Sequence, residues 1–105
     1  MTWVVLVLGG LFEVVWAYAM KQSHGFTKPW PSAVAVIGVV LSLAFLSWSM
    51  RSLPLGTAYM IWTGIGAVGA FAVGILILGE PANPIRLLAA SLILGGIIMM
   101  KLATP

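Results

Sequence analysis

The sequence contains no cysteine, one histidine and only two acidic residues, Glu13 and Glu80. Without cysteine there is no disulfide and no thiolate metal site, and redox compartment is uninformative. The lone histidine, His24, leaves no zinc site built on histidines within one chain. No metal and no cofactor are expected. No nucleophile has an identifiable base, so covalent catalysis and an enzyme are not expected either. Charged residues make up 7% of the chain, where a soluble domain carries roughly 25%. So few charges could not cover a water-exposed surface. The five Lys and Arg residues are too few and too scattered to neutralise a phosphate backbone, which argues against nucleic acid. Their expected place is in loops and helix ends facing lipid headgroups.

What is abundant is hydrophobic residue, 62% of the 105. The pattern predicts an all-α integral membrane protein, one transmembrane domain over residues 1–105 with four spans near 2–20, 31–50, 55–78 and 84–102. Ala17-Tyr18-Ala19 mimics a signal-peptidase site. The preceding segment has no basic region and carries a carboxyl in its apolar stretch, so the first span is expected to be retained.

That carboxyl is Glu13, near the middle of the first span. A charge at the centre of a membrane helix costs on the order of 2.5–3.5 kcal/mol on insertion scales, and ionisable groups kept at that depth are functional by default. At 100° per residue Leu6, Gly9, Gly10, Glu13, Trp16, Ala17 and Met20 share one face. The glycines allow close backbone approach and leave room beside the carboxyl.

The segment Lys21–Pro31 reads as a polar loop with Trp30 as an interfacial anchor. His24 is expected to be solvated or near headgroups. In the second span Gly38 and Ser42 form a small-xxx-small pair, with Phe45 and Ser49 on the same side. Ser42 either bonds to its own or a partner helix, or donates to Glu13. The third span brings Tyr59, Trp62, Thr63, Gly66 and Ala70 to one face. Its glycines Gly64, Gly66, Gly69 and Gly74 make a bend plausible. Glu80 lies at the water interface near Arg86 and receives no site role. The fourth span carries Ser91, Gly95 and Gly96, a helix–helix contact signature.

Charge placement sets Lys21, Lys28 and Arg86 on one side and Arg51 and Lys101 on the other. Three against two is almost no positive-inside bias, so the chain could insert either way. Many secondary transporters build alternating access from inverted repeats. Four helices hold no inverted copy of themselves, and an antiparallel, dual-topology homodimer would supply one. Its main interface is expected along the fourth helices, at Ser91, Gly95 and Gly96. Two copies of Glu13 would then meet near the midplane. Trp16, Tyr59 and Trp62 would surround a cation with ring faces. Such a cage suits an organic cation better than Na⁺ or Mg²⁺, which need several oxygen ligands. Proton and cation compete for the same carboxylates, so exchange follows from mutual exclusion.

At these residues the chain resembles the small multidrug resistance family of bacterial transporters. Phe12-Glu13-Val14-Val15-Trp16-Ala17, Lys21 with Gly25-Phe26-Thr27, Leu53 to Tyr59, Trp62 to Gly66 and Gly79-Glu80-Pro81 carry the likeness. Trp16 and Ser42 resemble its guanidinium-exporter branch; the quaternary-ammonium branch typically has a small residue where Trp16 stands. The resemblance implies an antiparallel dimer in the bacterial cytoplasmic (inner) membrane that exchanges guanidinium and small substituted guanidiniums for protons. It implies that Glu13 binds both ions, that Trp16, Ser42 and Trp62 orient it, and that Tyr59 lines a portal. Gly10, Gly38, Thr63, Gly64 and Gly66 are expected to line the pocket or serve conformational change. A forked, planar guanidinium matches carboxylates bidentately, a chemical reason for two glutamates in one site. Two other readings compete: an exporter of bulky quaternary ammonium or aromatic cations, and a non-transporting subunit whose Glu13 mediates assembly. A channel is disfavoured, because these helices lack a continuous polar lining.

Overall fold

A run of apolar residues inside a bilayer must satisfy its backbone polar groups internally, and a continuous helix does so without partners. The computed structural model, which describes Met1–Thr104, consists of four helices. They are α1 (Thr2–Gln22), α2 (Pro29–Ser49), α3 (Leu55–Leu76) and α4 (Pro84–Ala103), with no strand among the described residues. Each is long and apolar enough to cross a membrane. At ~1.5 Å per residue each reaches about 30 Å, the hydrocarbon thickness. The protein is a multi-pass membrane protein.

The helix ends follow local chemistry, and they make the first connection shorter than expected. Pro29 and Pro31 both lie inside the first turn of α2. Proline is tolerated there because a first-turn N–H has no intrahelical acceptor to lose. α1 likewise runs on to Gln22. The hydroxyl of buried Ser23 donates to the Met20 carbonyl at 2.7 Å and accepts from the Phe26 amide at 3.0 Å. His24, Gly25 and Phe26 have φ of 50°, 74° and 66°. Two non-glycine residues in the left-handed region cost about 1–2 kcal/mol each, and the Ser23 bonds hold them there. Trp30 is 83% exposed in the first turn of α2. Pro84 starts α4, where Asn83 accepts from the Arg86 amide at 2.9 Å. Such caps satisfy donors that the helix leaves open.

The bundle is a slab of 43 × 34 × 17 Å. α1 lies between α2 and α3 and touches both extensively, α2 and α3 barely meet, and α4 packs mainly on α3, with Lys101 reaching over the Trp3 ring of α1. No residue of α4 is buried. The core is at one end: Leu6, Leu46, Leu53, Ala58, Ile61 and Trp62, with Trp3, Met50, Ile65, Ile97 and Met100 against it. In α3 the glycines do not interrupt the helix, which is continuous through Leu76. They are points of close approach. Gly69 receives the Val14 side chain and Gly64 receives Ile97 from α4. A Cβ at either position would have to displace the Val14 or Ile97 side chain.

Candidate functional site

Glu13 is in the middle of α1, and helical periodicity turns it toward α3. Its carboxyl lies against the backbone of Gly66, in the space a Cβ at that position would need. A carboxylate with a glycine floor is the product of two helices in register. Oxygen Oε2 of Glu13 is buried and has no hydrogen-bond partner among the described residues. One turn along, the indole Nε1 of Trp16 is also buried and without a partner. Buried polar atoms are nearly always paired, so an orphan acceptor and an orphan donor on consecutive turns point to groups that arrive from outside the single chain. Trp16 is seated by Gly38 of α2, where a Cβ would stand 2.8 Å from the Trp16 Cβ.

Above Glu13 a chain of hydrogen bonds ties three helices. The Trp62 Nε1–H of α3 donates to the Ser42 hydroxyl at 2.8 Å, and Ser42 of α2 donates to the Gly9 carbonyl of α1 at 2.7 Å. Ser42 is fully buried. The choice left open by the sequence is therefore resolved within one chain: Ser42 bonds a partner helix and does not donate to Glu13. In an α-helix the Gly9 carbonyl is also the acceptor for the Glu13 amide. Ser42 thus grips the α1 backbone at the group to which the glutamate is bonded. Gly9 makes this possible, since a Cβ there would come within 3.2 Å of Phe45 and 3.4 Å of Trp62. The sequence puts Gly9 on the carboxyl face as a point of close backbone approach; that its carbonyl receives Ser42 is added by the structure.

The aromatics separate by depth. Trp62 is 8% exposed and Tyr59 is 52% exposed, with their rings tilted and 5.6 Å apart. Tyr59 is therefore on the outside of the single chain and Trp62 inside. Phe12 and Phe45 stack at 5.5 Å beside them. Not every residue singled out from the sequence joins this group. Thr63 is exposed and lines a cavity of about 310 Å³ with Tyr59, Met60 and Ile93. Gly10 receives Ile65, and Gly64 receives Ile97, so both serve helix packing within the chain. Ser91 and Gly96 are exposed, Ser91 bonding back to the Leu87 carbonyl at 2.8 Å. A Cβ at Gly95 or Gly96 would meet nothing within 4 Å. No group of acidic or histidine residues among the described residues could hold a metal ion.

Known proteins resemble this chain along nearly its whole length. The model of the Small Multidrug Resistance protein family matches residues 1–93. A guanidinium exporter of Citrobacter freundii is 57% identical over 104 residues, covering 99% of each chain. Those of Klebsiella oxytoca and Escherichia coli are 57% and 55% identical over the same span, again 99% of each chain. A match of this extent, on a four-helix membrane fold with a carboxyl at mid-depth, leaves one assignment: the chain belongs to the small multidrug resistance family.

Proposed function

We propose that this protein is a proton-coupled exporter of guanidinium and small substituted guanidinium ions. The guanidinium exporters that are 55–57% identical support the cargo, and the surroundings of Glu13 support the chemistry. The observation that carries the reading is the buried, unpartnered Oε2 of Glu13 against Gly66. A carboxylate in that position is neutralised by a proton or by a cation, but not by both. Occupation by one expels the other, and a proton gradient then drives cation export.

The working unit is an antiparallel homodimer in the bacterial cytoplasmic membrane. The orphan Trp16 Nε1 donor then finds an acceptor in the partner's half of the site. Two glutamates offer a planar guanidinium more than one forked contact. Trp16 and Trp62 add ring faces, Ser42 fixes the α1 backbone beside Glu13, and Tyr59 stands at the portal. The open face of α4 at Ser91, Gly95 and Gly96 forms the dimer contact. Replacing Gly96 by leucine should leave a folded chain that no longer crosslinks as a dimer in liposomes.

The test of function is electrical, on purified protein in a solid-supported membrane. Guanidinium pulses should give currents that disappear in Glu13→Gln, and their half-saturating concentration should rise as the medium is acidified. Equal currents for a tetraalkylammonium ion would move the assignment to the multidrug branch. Silence for both, from a folded dimer, would sink the exporter reading.

A further inference from the structure

The second carboxyl of the chain, outside the site just described, already holds a guanidinium. The Arg86 side chain at the start of α4 donates to the Pro81 carbonyl at 2.7 Å. Its other terminal nitrogen lies 3.5 Å from Glu80 Oε1, and its Cζ stands 5.2 Å from the centre of the Phe71 ring. Carboxylate, carbonyl and aromatic face are the three kinds of group that recognise a planar, forked cation. The Glu80 carboxyl is itself positioned. Its amide donates to the Gly74 carbonyl at 2.9 Å, and its oxygens pack on Gly74, where a Cβ would lie 2.5 Å from Oε1. The left-handed Gly79, φ 72°, turns the chain back to place it there.

The Arg86 contact is the weak member of this set. At 3.5 Å it is at the limit of a hydrogen bond and single rather than bidentate, and the two side chains are 34% and 43% exposed. A surface pair of this kind is easily exchanged. Glu80 also lines a cavity of about 180 Å³ with Lys21, Tyr18, Ala17 and Ala70. Ala17 and Ala70 each lie one turn beyond the elements of the central site, Glu13 and Gly66. The carboxyl therefore stands at the outer end of a small-residue seam whose inner end is Glu13.

We infer that Glu80, with Phe71 and the Pro81 carbonyl, is a peripheral guanidinium station in which free cargo competes with the tethered guanidinium of Arg86. The inference rests on the exporter reading above and names a second acceptor for the same cation. In an antiparallel dimer the station is present at both membrane faces, as exchange in both directions requires. Displacement of Arg86 passes the Pro81 carbonyl to the cargo and unties the start of α4 from the connection after α3 while cargo is at the mouth.

The experiment separates the station from the central site by using Glu13→Gln as background, in lipid bicelles. Guanidinium chloride is titrated at low millimolar concentration against sodium chloride of equal ionic strength. Amide NMR shifts of Gly79, Glu80 and Arg86 are followed. The shifts should saturate with guanidinium and not with sodium, and should vanish in Glu80→Gln. They should saturate at about fivefold lower concentration in Arg86→Ala, the factor to which a weak surface pair converts. Arg86→Lys keeps the charge but not the fork and should fall between. Phe71→Leu should weaken binding without abolishing it. Unchanged shifts in Glu80→Gln, or weaker binding in Arg86→Ala, overturn the station. If currents persist in the otherwise native protein while the station is silent, the exporter reading stands and this inference alone fails.

Discussion

The two ends of the bundle are built differently, and Glu13 lies between them. At the end formed by the start of α1, the end of α2 and the start of α3, large side chains interlock. Leu6, Leu46 and Ile61 are almost inaccessible, and Trp62, Ser42 and Gly9 add a hydrogen-bonded tie across three helices. At the opposite end the buried helical residues are small: Ala19, Ala35 and Gly74. A cavity of about 460 Å³ opens among Val14, Tyr18, Trp30, Val34 and Ile77, and another of about 180 Å³ beneath Glu80. Inside lipid, helices are held by packing and interhelical hydrogen bonds, because the surrounding tails are as apolar as the side chains. The packed end is thus where the chain's own stability lies. The open end has less to break when helices shift.

This contrast is tested most strongly at the site itself. Gly66→Val puts a branched side chain where the Glu13 carboxyl lies. Guanidinium-driven currents should be lost, in a protein that still inserts and folds; currents near the native level would show that the carboxyl does not work in this position.

The next largest effect belongs to the packed end. Ile61→Ala or Leu6→Ala should cost about 2–4 kcal/mol in a reversible unfolding assay in mixed micelles. Val34→Ala, on the cavity wall, should cost about 1 kcal/mol or less, since little packing is lost there. Equal costs at both ends would remove the distinction.

A smaller effect is expected from Ser42→Ala, about 0.6–1.7 kcal/mol, the range of interhelical hydrogen bonds measured in membranes. It should reduce transport by more than its stability cost explains, because the Gly9 carbonyl it releases is bonded to the Glu13 amide. Loss of stability with unaltered transport would make Ser42 only a packing group.

The smallest concerns the first connection. Phe26→Gly relieves a left-handed non-glycine residue, φ 66°, and should stabilise by about 1 kcal/mol or less. A clear loss would mean that the Phe26 ring is worth more at the membrane surface than its backbone costs.

Much of this was legible in the residues, and what was not has a common cause. Four apolar runs bounded by proline, glycine and charge could only become four helices, because a bilayer allows no other use of such segments. A lone carboxyl in the middle of one of them was conspicuous for its cost alone. The expected second span, 31–50, starts two residues after the observed α2, because Pro29 and Trp30 read as loop yet occupy the first turn, where proline is tolerated. Gly64 and Gly66 illustrate the harder limit. Both are glycines of one helix, and periodicity assigns them to the same stretch, yet one receives Ile97 and the other Glu13.

The sequence by itself determined the membrane environment, the number of spans and the depth of Glu13, all of which depend on hydrophobicity counted along the chain. Only the tertiary structure decided which helix each small residue meets, that Ser42 reaches Gly9 rather than Glu13, and that Arg86 lies on Glu80 and Phe71. Those facts depend on the rotation and register of one helix against another. These are set by shape complementarity over many small contacts, and no single residue spacing encodes that sum.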